Sequence, residues 1–542
     1  MVRGLSFVIL EQMKKITPDR LTRIIYCITV FLTGAAVLIF EVAAVRMLAP
    51  FFGSSLYVLS SVLTTILAAL SVGYYFGGRI ADRLPHPTVL YVIIGTAGLI
   101  MLLLQVLANY ILPHSNQLFS ITTGPLILSL TLFFIPAFLL GIDSPFVIKL
   151  LTVTHANPDH NGALVGSIFF FSTIGSIVGS IAAGFFLIPF FGLTMTIMAV
   201  SIGLIIWSIL AISVISYSNP PSTSGFKSII PLPLLMLIGI FSAGYFSFTT
   251  ITTTQAEAGV TTLFQADGYY SHLHVFERTF QNIVFRFLKN DMNNSSAIIP
   301  GSPAPVFMYT QLADLFAANT TQVSNYLVLG GGSYTIPRYI NHKYSAIKID
   351  VVEIEPSLFS LAHTYFELPT DPLITNYEQD ARVFLQSTST QYDVIFSDVM
   401  NSGLFIPPHL ATVEFFESFK ARLAPDGIAI LNYIGSLDTT KTSLTGSMIK
   451  TIKTVFPNYK LLPLRGKDYK GTQNMVFVLR HEGQPITIPD KEIIDYFNQE
   501  TKVASTLVLP ENYLPLDTQV TFTDNKSLIE PLIVKQFADD SL

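Results

Sequence analysis

The sequence predicts two parts of different fold class: an N-terminal polytopic α-helical membrane domain with about seven transmembrane helices, and a C-terminal soluble α/β domain of the Rossmann-like type. Mean hydropathy is +0.53 and 12% of the 542 residues are charged, well below the ~25% usual in soluble domains. Charged residues are sparse between Ile24 and Phe248 and regain ordinary density from Glu257. Beyond that point apolar strands alternate with glycine turns and helical patterns, so the chain passes from lipid to water.

The membrane domain is predicted from apolar stretches close to the ~20 residues that a spanning helix needs. No small-residue cleavage signal follows the first stretch, so we interpret it as an anchor and not as a signal peptide. The seven predicted spans are residues 24–44, 57–76, 89–112, 125–148, 163–185, 194–215 and 229–248.

Three ionisable residues, Glu41, Arg46 and Asp143, lie in or at the end of predicted spans, where a charge is costly unless it is paired or solvated. An interfacial or helix-packing pair is the favoured interpretation, and a transport or ligand-binding role is the alternative. Small residues at near-helical spacing favour close helix packing over a substrate path. They are Gly162, Gly166, Gly175, Gly179 and Gly184.

Composition excludes several classes of function. The net charge of −5 and the absence of a basic tract argue against a nucleic-acid partner. The single cysteine, Cys27, excludes an intrachain disulfide and a cysteine-based metal cluster. His272 and His274 share one face of a predicted strand, but a surface or packing role is favoured over a metal pair, and no metal site is expected.

The soluble part divides further. Residues 272–277 and 283–288 predict two strands joined by a turn, which form a small β unit ahead of the main domain. The predicted domains are a transmembrane domain at 1–250, a linker with the small β unit at 251–323, a Rossmann-like domain at 324–485 and a C-terminal extension at 486–542.

A glycine turn opens the Rossmann-like domain. An apolar strand from Asn325 runs into Gly330, Gly331 and Gly332, and a helix is predicted from about Thr335. Glycines let the backbone turn and approach a nucleoside closely. The next strand, residues 346–354, ends in Glu353 and then Glu355, roughly 20 residues after the glycines, where a carboxylate can grip ribose hydroxyls.

Two further strands end in acids, Asp380 and Asp398. Carboxylates at successive carboxyl ends of parallel strands converge on one cleft, which favours a site. The alternatives are that Asp380 only caps the helix 381–386 and that Glu355 is a solvated loop residue. A loop at 399–410 that can close over the cleft precedes a predicted helix at 412–423, a turn at 425–427 and a fifth strand at 428–433.

These motifs resemble the spermidine synthase (polyamine aminopropyltransferase) family in order and spacing over residues 269–480. The membrane half resembles that of multi-pass spermidine-synthase-like fusion proteins through residues 34–41, 77–83 and 175–184. The resemblance implies an S-adenosylmethionine-dependent methyltransferase-type fold for the soluble part. The motifs are Val-Leu-Gly-Gly-Gly at 328–332, Val-Glu-Ile-Glu at 352–355, Gln-Asp-Ala-Arg at 379–382, Tyr-Asp-Val-Ile at 392–395 with Asp398, and Leu-Ala-Pro-Asp-Gly at 423–427.

The resemblance also implies residue roles in a membrane-anchored transferase that moves an aminopropyl group to an amine. Glu353 would bind the ribose, Asp380 with Ala381 would contact the adenine, and Asp398 would act as the base on the attacking amine. The donor would be decarboxylated S-adenosylmethionine or S-adenosylmethionine, without a metal, and a homodimer is expected. The residues that would receive the sulfonium nucleoside are Gly330, Gly331, Gly332 and Ser333.

The chain departs from the family pattern on the acceptor side. Ser333 stands where an aspartate usually follows the glycines, and Asn401 replaces the second acid of the D-x-x-D loop. Tyr309, Thr310 and Gln311 stand in place of Tyr-His-Glu. A cationic amine needs compensating carboxylates in a partly dry site. Two alternatives therefore stay open: an S-adenosylmethionine-dependent methyltransferase or lyase, and a nucleoside-sensing membrane transporter or sensor without catalysis.

The location of the soluble part is predicted in two ways that disagree. Basic loops at the N-terminus, Arg79/Arg83, Lys149 and Lys227 alternate with loops nearly free of Lys and Arg, which puts the N-terminus in the cytoplasm. Seven spans would then leave the soluble part outside. Cofactor supply favours the cytoplasm, so we expect an integral inner or plasma membrane protein with a cytoplasmic soluble domain.

Overall fold

The structure is a computed structural model, and the chain divides into two compact units, Met1–Gln255 and Ala256–Leu542. The residues that the structure describes are 18–53, 55–119, 123–154, 161–218, 239, 259–291, 293–320, 322–399, 406–437, 442–511, 513–525 and 529–540. Each unit is built around its own apolar core.

The first unit is helical because long apolar runs satisfy their own backbone hydrogen bonds only as helices. Ser55 caps the second helix by accepting the N–H of Val58, and Pro87 occupies the first turn of the third helix. A π-helical turn at Ala183–Leu187 separates the last two helices. The helices are α1 (Pro18–Phe52), α2 (Leu56–Arg83), α3 (Pro87–Leu118), α4 (Gly124–Gly141), α5 (Asp143–Thr154), α6 (Asn161–Ala182) and α7 (Ile188–Ser218).

Five helices in the described residues are long and apolar enough to cross a membrane. The last of these segments, Gly162–Ile215, is 54 residues long, and the backbone at Gly192 inside it is not helical (φ 76°, ψ 169°). It covers the fifth and sixth predicted spans. The seventh predicted span, residues 229–248, lies outside the described residues apart from Gly239. The total of seven spans stays a prediction.

Two of the predicted small residues bring α1 and α6 into direct contact. A Cβ added to Gly175 would lie 2.0 Å from the carbonyl oxygen of Phe31, and one added to Gly179 would lie 2.4 Å from that of Ala35. These distances leave no room for a side chain, so the packing interpretation is confirmed at both glycines. The positions Gly162, Gly166 and Gly184 have open space at the Cβ.

We expect Gly175→Ala to destabilise the helical unit by about 1–3 kcal/mol, because the new methyl group overlaps a backbone carbonyl and α1 must move away from α6. Gly166→Ala is the matched control, since it lies on the same helix with an open Cβ position. The control should be neutral, or stabilising by up to about 1 kcal/mol through helix propensity. Thermal unfolding of the purified chain in detergent measures both, and equal shifts in the two variants would contradict the prediction.

The second unit begins with an antiparallel sheet of four strands in sequence order: β1 (Val260–Asp267), β2 (His272–Phe280), β3 (Ile283–Asn290) and β4 (Asn293–Ile298). The predicted strand pair is therefore confirmed as β2 and β3. The histidines of β2 contact side chains of β1: His272 Nδ1 lies 2.5 Å from Asp267 Oδ1, and His274 Nε2 lies 2.9 Å from Thr262 Oγ1. Both histidines thus have packing roles within this sheet.

The main sheet has seven strands in the order β10-β11-β9-β8-β5-β6-β7. The strands from β7 to β9 are parallel, and β11 runs antiparallel between β9 and β10. This doubly wound α/β sheet confirms the predicted fold class of the soluble part. The strands are β5 (Asn325–Leu329), β6 (Lys348–Glu353), β7 (Ile374–Glu378), β8 (Tyr392–Ser397), β9 (Leu423–Gly435), β10 (Tyr459–Pro463) and β11 (Gln473–Arg480).

Helices cover the sheet where the sequence predicts them after the glycine turn, after Asp380 and after Thr412. Thr412 caps its helix by accepting the N–H of Phe415 at 3.3 Å. The further helix before β10 is capped in the same way by Ser443. The helices are α8 (Thr335–Lys343), α9 (Ser357–Tyr365), α10 (Ala381–Ser387), α11 (Val413–Arg422) and α12 (Leu444–Val455).

The fifth strand of the main sheet differs from its prediction. It begins at Leu423 and not at Ile428, because Tyr392 pairs with Leu423 and Val394 pairs with Ile428. The predicted turn at 425–427 is therefore a bulge within the strand. Beyond β11 the chain forms a hairpin, β12 (Glu492–Asp495) and β13 (Glu500–Val503), and a helix, α13 (Ile529–Asp540).

Candidate functional site

The candidate site lies where the strand order of the main sheet reverses, between β5 and β8. β5 continues along the chain into β6 on one side, whereas β8 and β9 lie on the other. Ligands bind outside the carboxyl ends of the strands at such a switch point. The ends of β5 and β8 stay hydrogen-bonded at this point, because the N–H of Asp398 donates to the carbonyl of Leu329 at 2.8 Å.

The glycine turn follows β5 directly. Gly330 has φ +88° and Gly332 has φ +53°, values that a side chain would strain. A Cβ on Gly330 would lie 2.5 Å from the carbonyl oxygen of Asp398. Gly330 is therefore required by both its backbone conformation and its close approach to the end of β8.

Glu353, at the end of β6, accepts hydrogen bonds from the glycine turn. Its Oε2 accepts the N–H groups of Gly331 and Gly332 at 2.8 and 3.0 Å, and its Oε1 accepts the N–H of Glu355 at 2.9 Å. Burial raises the pKa of Glu353, and these backbone donors oppose the increase. The Glu353 carboxylate, which the sequence predicts as a ribose-binding group, thus also stabilises the conformation of the glycine turn.

Ser333 lies beneath the turn, against the small sheet. Its N–H donates to Ser296 Oγ of β4 at 3.3 Å. The side chain is 1% exposed, and its hydroxyl has no hydrogen-bond partner in the part of the chain that the structure describes. The small sheet therefore contributes a residue to the site. The contact of Ser296 with Ser333 was not predicted from the sequence.

Asp398, at the end of β8, is held by two side chains from other elements. Asn432 of β9 donates to Asp398 Oδ1 at 2.8 Å. The Tyr309 hydroxyl is a hydrogen-bonding neighbour of the same carboxylate and lowers its pKa. Asn474 of β11 supports this contact by donating to Asn432 Oδ1 at 3.1 Å. Burial raises the pKa of Asp398, and the hydrogen bonds from Asn432 and Tyr309 lower it in part.

The three residues predicted on the acceptor side have different positions. Tyr309 contacts Asp398, and its hydroxyl also lies 3.3 Å from the carbonyl oxygen of Ser295. The structure does not bring Gln311 to Asp398: its amide group donates to the carbonyls of Val306 and Ile494 and accepts from the N–H of Ile494. The two bonds with Ile494 tie β12 to Gln311. Asn401 lies outside the described residues.

Asp380 caps α10, as the alternative interpretation predicts, with Oδ1 accepting the N–H groups of Arg382 and Val383 at 2.9 and 3.1 Å. Its other oxygen, Oδ2, lies 3.0 Å from His409 Nε2. The hydrogen bond from His409 is the main cause that lowers the pKa of Asp380. Ala381 follows as a buried residue of α10.

Two contacts around these acids were not predicted. His409 lies in the loop at 399–410 that was expected to close over the cleft, and its contact with Asp380 has no signal in the local sequence. Glu355 is 3% exposed, so the alternative of a solvated loop residue is wrong. Its carboxylate accepts the N–H of Tyr270 at 2.8 Å and the hydroxyl of Ser357 at 2.8 Å. Glu355 therefore holds the β1–β2 turn beside the end of β6.

This arrangement places a buried acid, Glu353, and a half-buried acid, Asp398, on either side of a glycine turn. Glu353 presents a carboxylate to the turn, and Asp398 is a carboxylate of raised pKa that can accept a proton. Among the described residues no group of three or more His, Cys, Asp or Glu side chains could hold a metal ion.

Comparison with known proteins gives one family and several relatives. Residues 307–482 match the family described as "Spermine/spermidine synthase domain". The chain is 22% identical to polyamine aminopropyltransferase 1 of Streptomyces coelicolor over 96% of this chain and 94% of that protein. It is 30% identical to a probable polyamine aminopropyl transferase of Bifidobacterium longum, over 28% of this chain and 33% of that protein.

A third relative has a different printed activity. The chain is 25% identical to the human eEF1A lysine and N-terminal methyltransferase over 30% of this chain and 24% of that protein. The chain thus spans about a third of the Bifidobacterium relative and a quarter of the human one.

Proposed function

From the match of residues 307–482 to the spermine/spermidine synthase domain, we propose that this chain is a membrane-anchored aminopropyltransferase. It would use an adenosyl sulfonium donor, decarboxylated S-adenosylmethionine or S-adenosylmethionine, and an amine acceptor. The observation that carries the proposal is the half-buried Asp398 carboxylate, beside Tyr309 and Asn432 at the switch point of the sheet. That position joins a proton acceptor to a glycine turn suited to a nucleoside.

The proposed reaction needs one base and precise placement. A neutral amine nitrogen attacks the carbon next to the sulfonium, an N–C bond forms, and the C–S bond breaks to release methylthioadenosine. The amine loses a proton to Asp398 as the bond forms. Positioning of the two partners supplies the rest of the rate increase, and no metal is required.

The donor side would be bound by the glycine turn and two acids. Gly330, Gly331, Gly332 and Ser333 would let the sulfonium nucleoside approach the backbone. Glu353 would accept the ribose hydroxyls, and Asp380 with Ala381 would contact the adenine. Asp380 Oδ2 at present faces His409, so adenine binding there would displace the His409 contact.

The pH dependence follows from the environment of Asp398. A base must be ionised, and the pKa of Asp398 is raised by burial, so kcat/KM should fall as pH decreases through that raised pKa. The hydrogen bond from Tyr309 lowers the pKa. Tyr309→Phe should therefore raise the pKa further, and the acid limb of the profile should move to higher pH.

The matched control is Tyr339→Phe, because the Tyr339 hydroxyl bonds a different carboxylate, Asp314, at 2.7 Å. Its acid limb should coincide with that of the unmodified chain. A pH–rate profile of kcat/KM for the three proteins measures the effect. An unshifted acid limb in Tyr309→Phe would show that Tyr309 does not tune the base.

A second candidate function is methyl transfer from S-adenosylmethionine. Ser333 favours it: where the family has an aspartate, this chain has an uncharged side chain that is 1% exposed, so a cationic aminopropyl group loses one counter-charge. The similarity to the human methyltransferase supports the same alternative. An S-adenosylmethionine lyase would need the same donor site.

The apolar helices supply the proposed membrane anchor. Five helices in the described residues have the length and composition to span a bilayer. We propose that the soluble unit is cytoplasmic because the adenosyl donor is made there, although seven spans and the basic loops would place it outside. A homodimer and a small amine substrate complete the proposal.

Product analysis by mass spectrometry tests the proposal. The full chain, purified in detergent, is incubated with either donor, each with and without a panel of amines. Methylthioadenosine together with an aminopropylated amine would support it. S-adenosylhomocysteine would establish methyl transfer instead, and methylthioadenosine from S-adenosylmethionine without an acceptor would indicate a lyase. Donor binding without any product would indicate a sensor.

A further inference from the structure

Asp143 is a buried carboxylate among the described residues of the helical unit. Asp143 is 1% exposed and lies within the candidate span Gly124–Val153. Among the described residues, no Lys, Arg or His forms an ion pair with it. Ionisable residues within spanning helices are expensive, and they often belong to ion or proton pathways.

Asp143 lies at a break between two helices. α4 ends at Gly141, and α5 begins at Asp143. Pro145 has no N–H, so the carbonyl of Gly141 loses its helical partner. Broken helices at the depth of the membrane carry the ion sites of many transporters.

α2 packs closely against this break. A Cβ on Gly73 would lie 2.5 Å from the carbonyl oxygen of Phe138, and one on Gly77 would lie 2.8 Å from the carbonyl oxygen of Ile142. The glycines of α2 therefore hold its backbone against the α4–α5 break.

The two carboxylate oxygens have different surroundings. Thr33 of α1 lies within hydrogen-bond distance of Asp143 Oδ2. Asp143 Oδ1 is enclosed and has no hydrogen-bond partner in the part of the chain that the structure describes. A charged oxygen in this position would bear the full cost of leaving water, and a bound proton removes that charge.

The Thr33 hydroxyl can accommodate both protonation states. It lies 3.0 Å from the carbonyl oxygen of Thr29 as well as beside Asp143, but it has one hydrogen to donate. When Asp143 is ionised, Thr33 donates to it. When Asp143 is protonated, its own O–H can donate to Thr33, which then donates to Thr29.

The polar contacts continue from Thr29 into two other helices. Trp207 of α7 donates its indole N–H to Thr29 Oγ1 at 3.0 Å, and the hydroxyl of Tyr91 on α3 lies 3.0 Å from the same atom. Ser208 donates to the carbonyl of Tyr91. Thr29 and Thr33 are one helical turn apart, so the network joins α1, α3, α5 and α7.

The titratable neighbours of Asp143 are weak acids. Tyr74 of α2 and Tyr91 of α3 interact electrostatically with it, and Tyr26 of α1 interacts with Tyr91. α4 and α6 contain no ionisable side chain. On α5 itself, Lys149 pairs with Asp82 of α2 at 2.7 Å.

We propose that Asp143 is a proton-binding site inside the helical unit, where proton uptake and release accompany rearrangement of the helices around the α4–α5 break. A metal cation is a poorer fit, because it needs several oxygen ligands and Thr33 is the hydroxyl that contacts the carboxylate in the described residues. The step is the reversible addition of one proton to a carboxylate, with no redox change.

Infrared difference spectroscopy of the full chain in lipid membranes tests the proposal. At neutral pH the unmodified chain should show the C=O stretch of a protonated carboxylic acid, and the band should move on exchange into D2O. The band is read as the difference between the spectra of the unmodified chain and of Asp143→Asn, in which any bands from Glu353 and Asp398, whose pKa values burial also raises, cancel. Glu41→Gln removes an acid from a different helix, α1, and this variant should keep the band.

Folding and rival ligands are controlled separately. Thr33→Val keeps the acid but removes its hydrogen-bond partner, so the band should remain and shift in frequency, and helical circular dichroism checks that each variant is folded. The proposal is overturned if the unmodified chain has no band, if the band persists in Asp143→Asn, or if sodium chloride at constant pH abolishes it. The assay does not use the transferase reaction, so the two proposals can fail independently.

Discussion

Asp398→Asn should reduce kcat for product formation by about 10²–10⁴-fold, the range that a general base contributes. Asparagine has the shape of aspartate but cannot take the proton of the attacking amine. The substitution should fold, because Asn432 can still donate to the remaining oxygen and the Tyr309 hydroxyl can change from donor to acceptor. Donor binding, measured by calorimetry, should change little.

The matched control is Asp393→Asn on the same strand. Asp393 Oδ2 accepts the N–H groups of Ser324 and Asn325 at 2.8 and 3.0 Å, contacts that an amide oxygen can keep. This variant also loses one negative charge, yet its kcat should stay close to that of the unmodified chain. Equal turnover in Asp398→Asn and the unmodified chain would remove Asp398 from the role of base.

Glu353→Gln should weaken binding of the adenosyl donor by about 10- to 100-fold. A hydrogen bond to a charged group contributes about 1.5–3 kcal/mol, and each 1.4 kcal/mol is about tenfold in Kd. In the unmodified chain, Glu353 Oε1 accepts the N–H of Glu355. The amide of Gln would place a second N–H donor against that N–H, so this hydrogen bond would be lost. The glycine turn should therefore lose part of its support as well as its ribose partner.

Calorimetric titration of the donor and thermal unfolding separate these two effects. Asp350→Asn is the control, because Asp350 is a buried acid on the same strand whose partner is the Tyr392 hydroxyl at 2.9 Å. It should bind the donor normally. If Glu353→Gln lowers stability but leaves the Kd unchanged, Glu353 only braces the turn.

Regular periodicity made much of the soluble fold predictable. The β2–β3 pair, the glycine turn after β5 and the helix beginning at Thr335 each depend on neighbouring residues, and the structure has all three. Thr412 likewise marks the start of α11 through its own cap. The early start of β9 was missed, because Leu423 joins the strand through pairing with Tyr392 and not through a local pattern.

The partners of the site residues were not predictable in the same way. Glu353 and Asp398 stand at strand ends that the sequence identifies, but Asn432 and Ser296 reach them from other elements far along the chain. Gln311 shows the opposite case: a family position suggested the acceptor side, whereas the backbone of Ile494 occupies its amide group.

The sequence by itself determined the division into an apolar helical part and a soluble α/β part, together with the positions of the glycine turn and the acids after the strands. These features depend on composition and on periods of a few residues. Only the tertiary structure decided how far each acid is removed from water and which side chain lies against it: Tyr309 on Asp398, His409 on Asp380 and Thr33 on Asp143. Burial and hydrogen bonding between distant residues arise when the chain packs, so no local pattern encodes them.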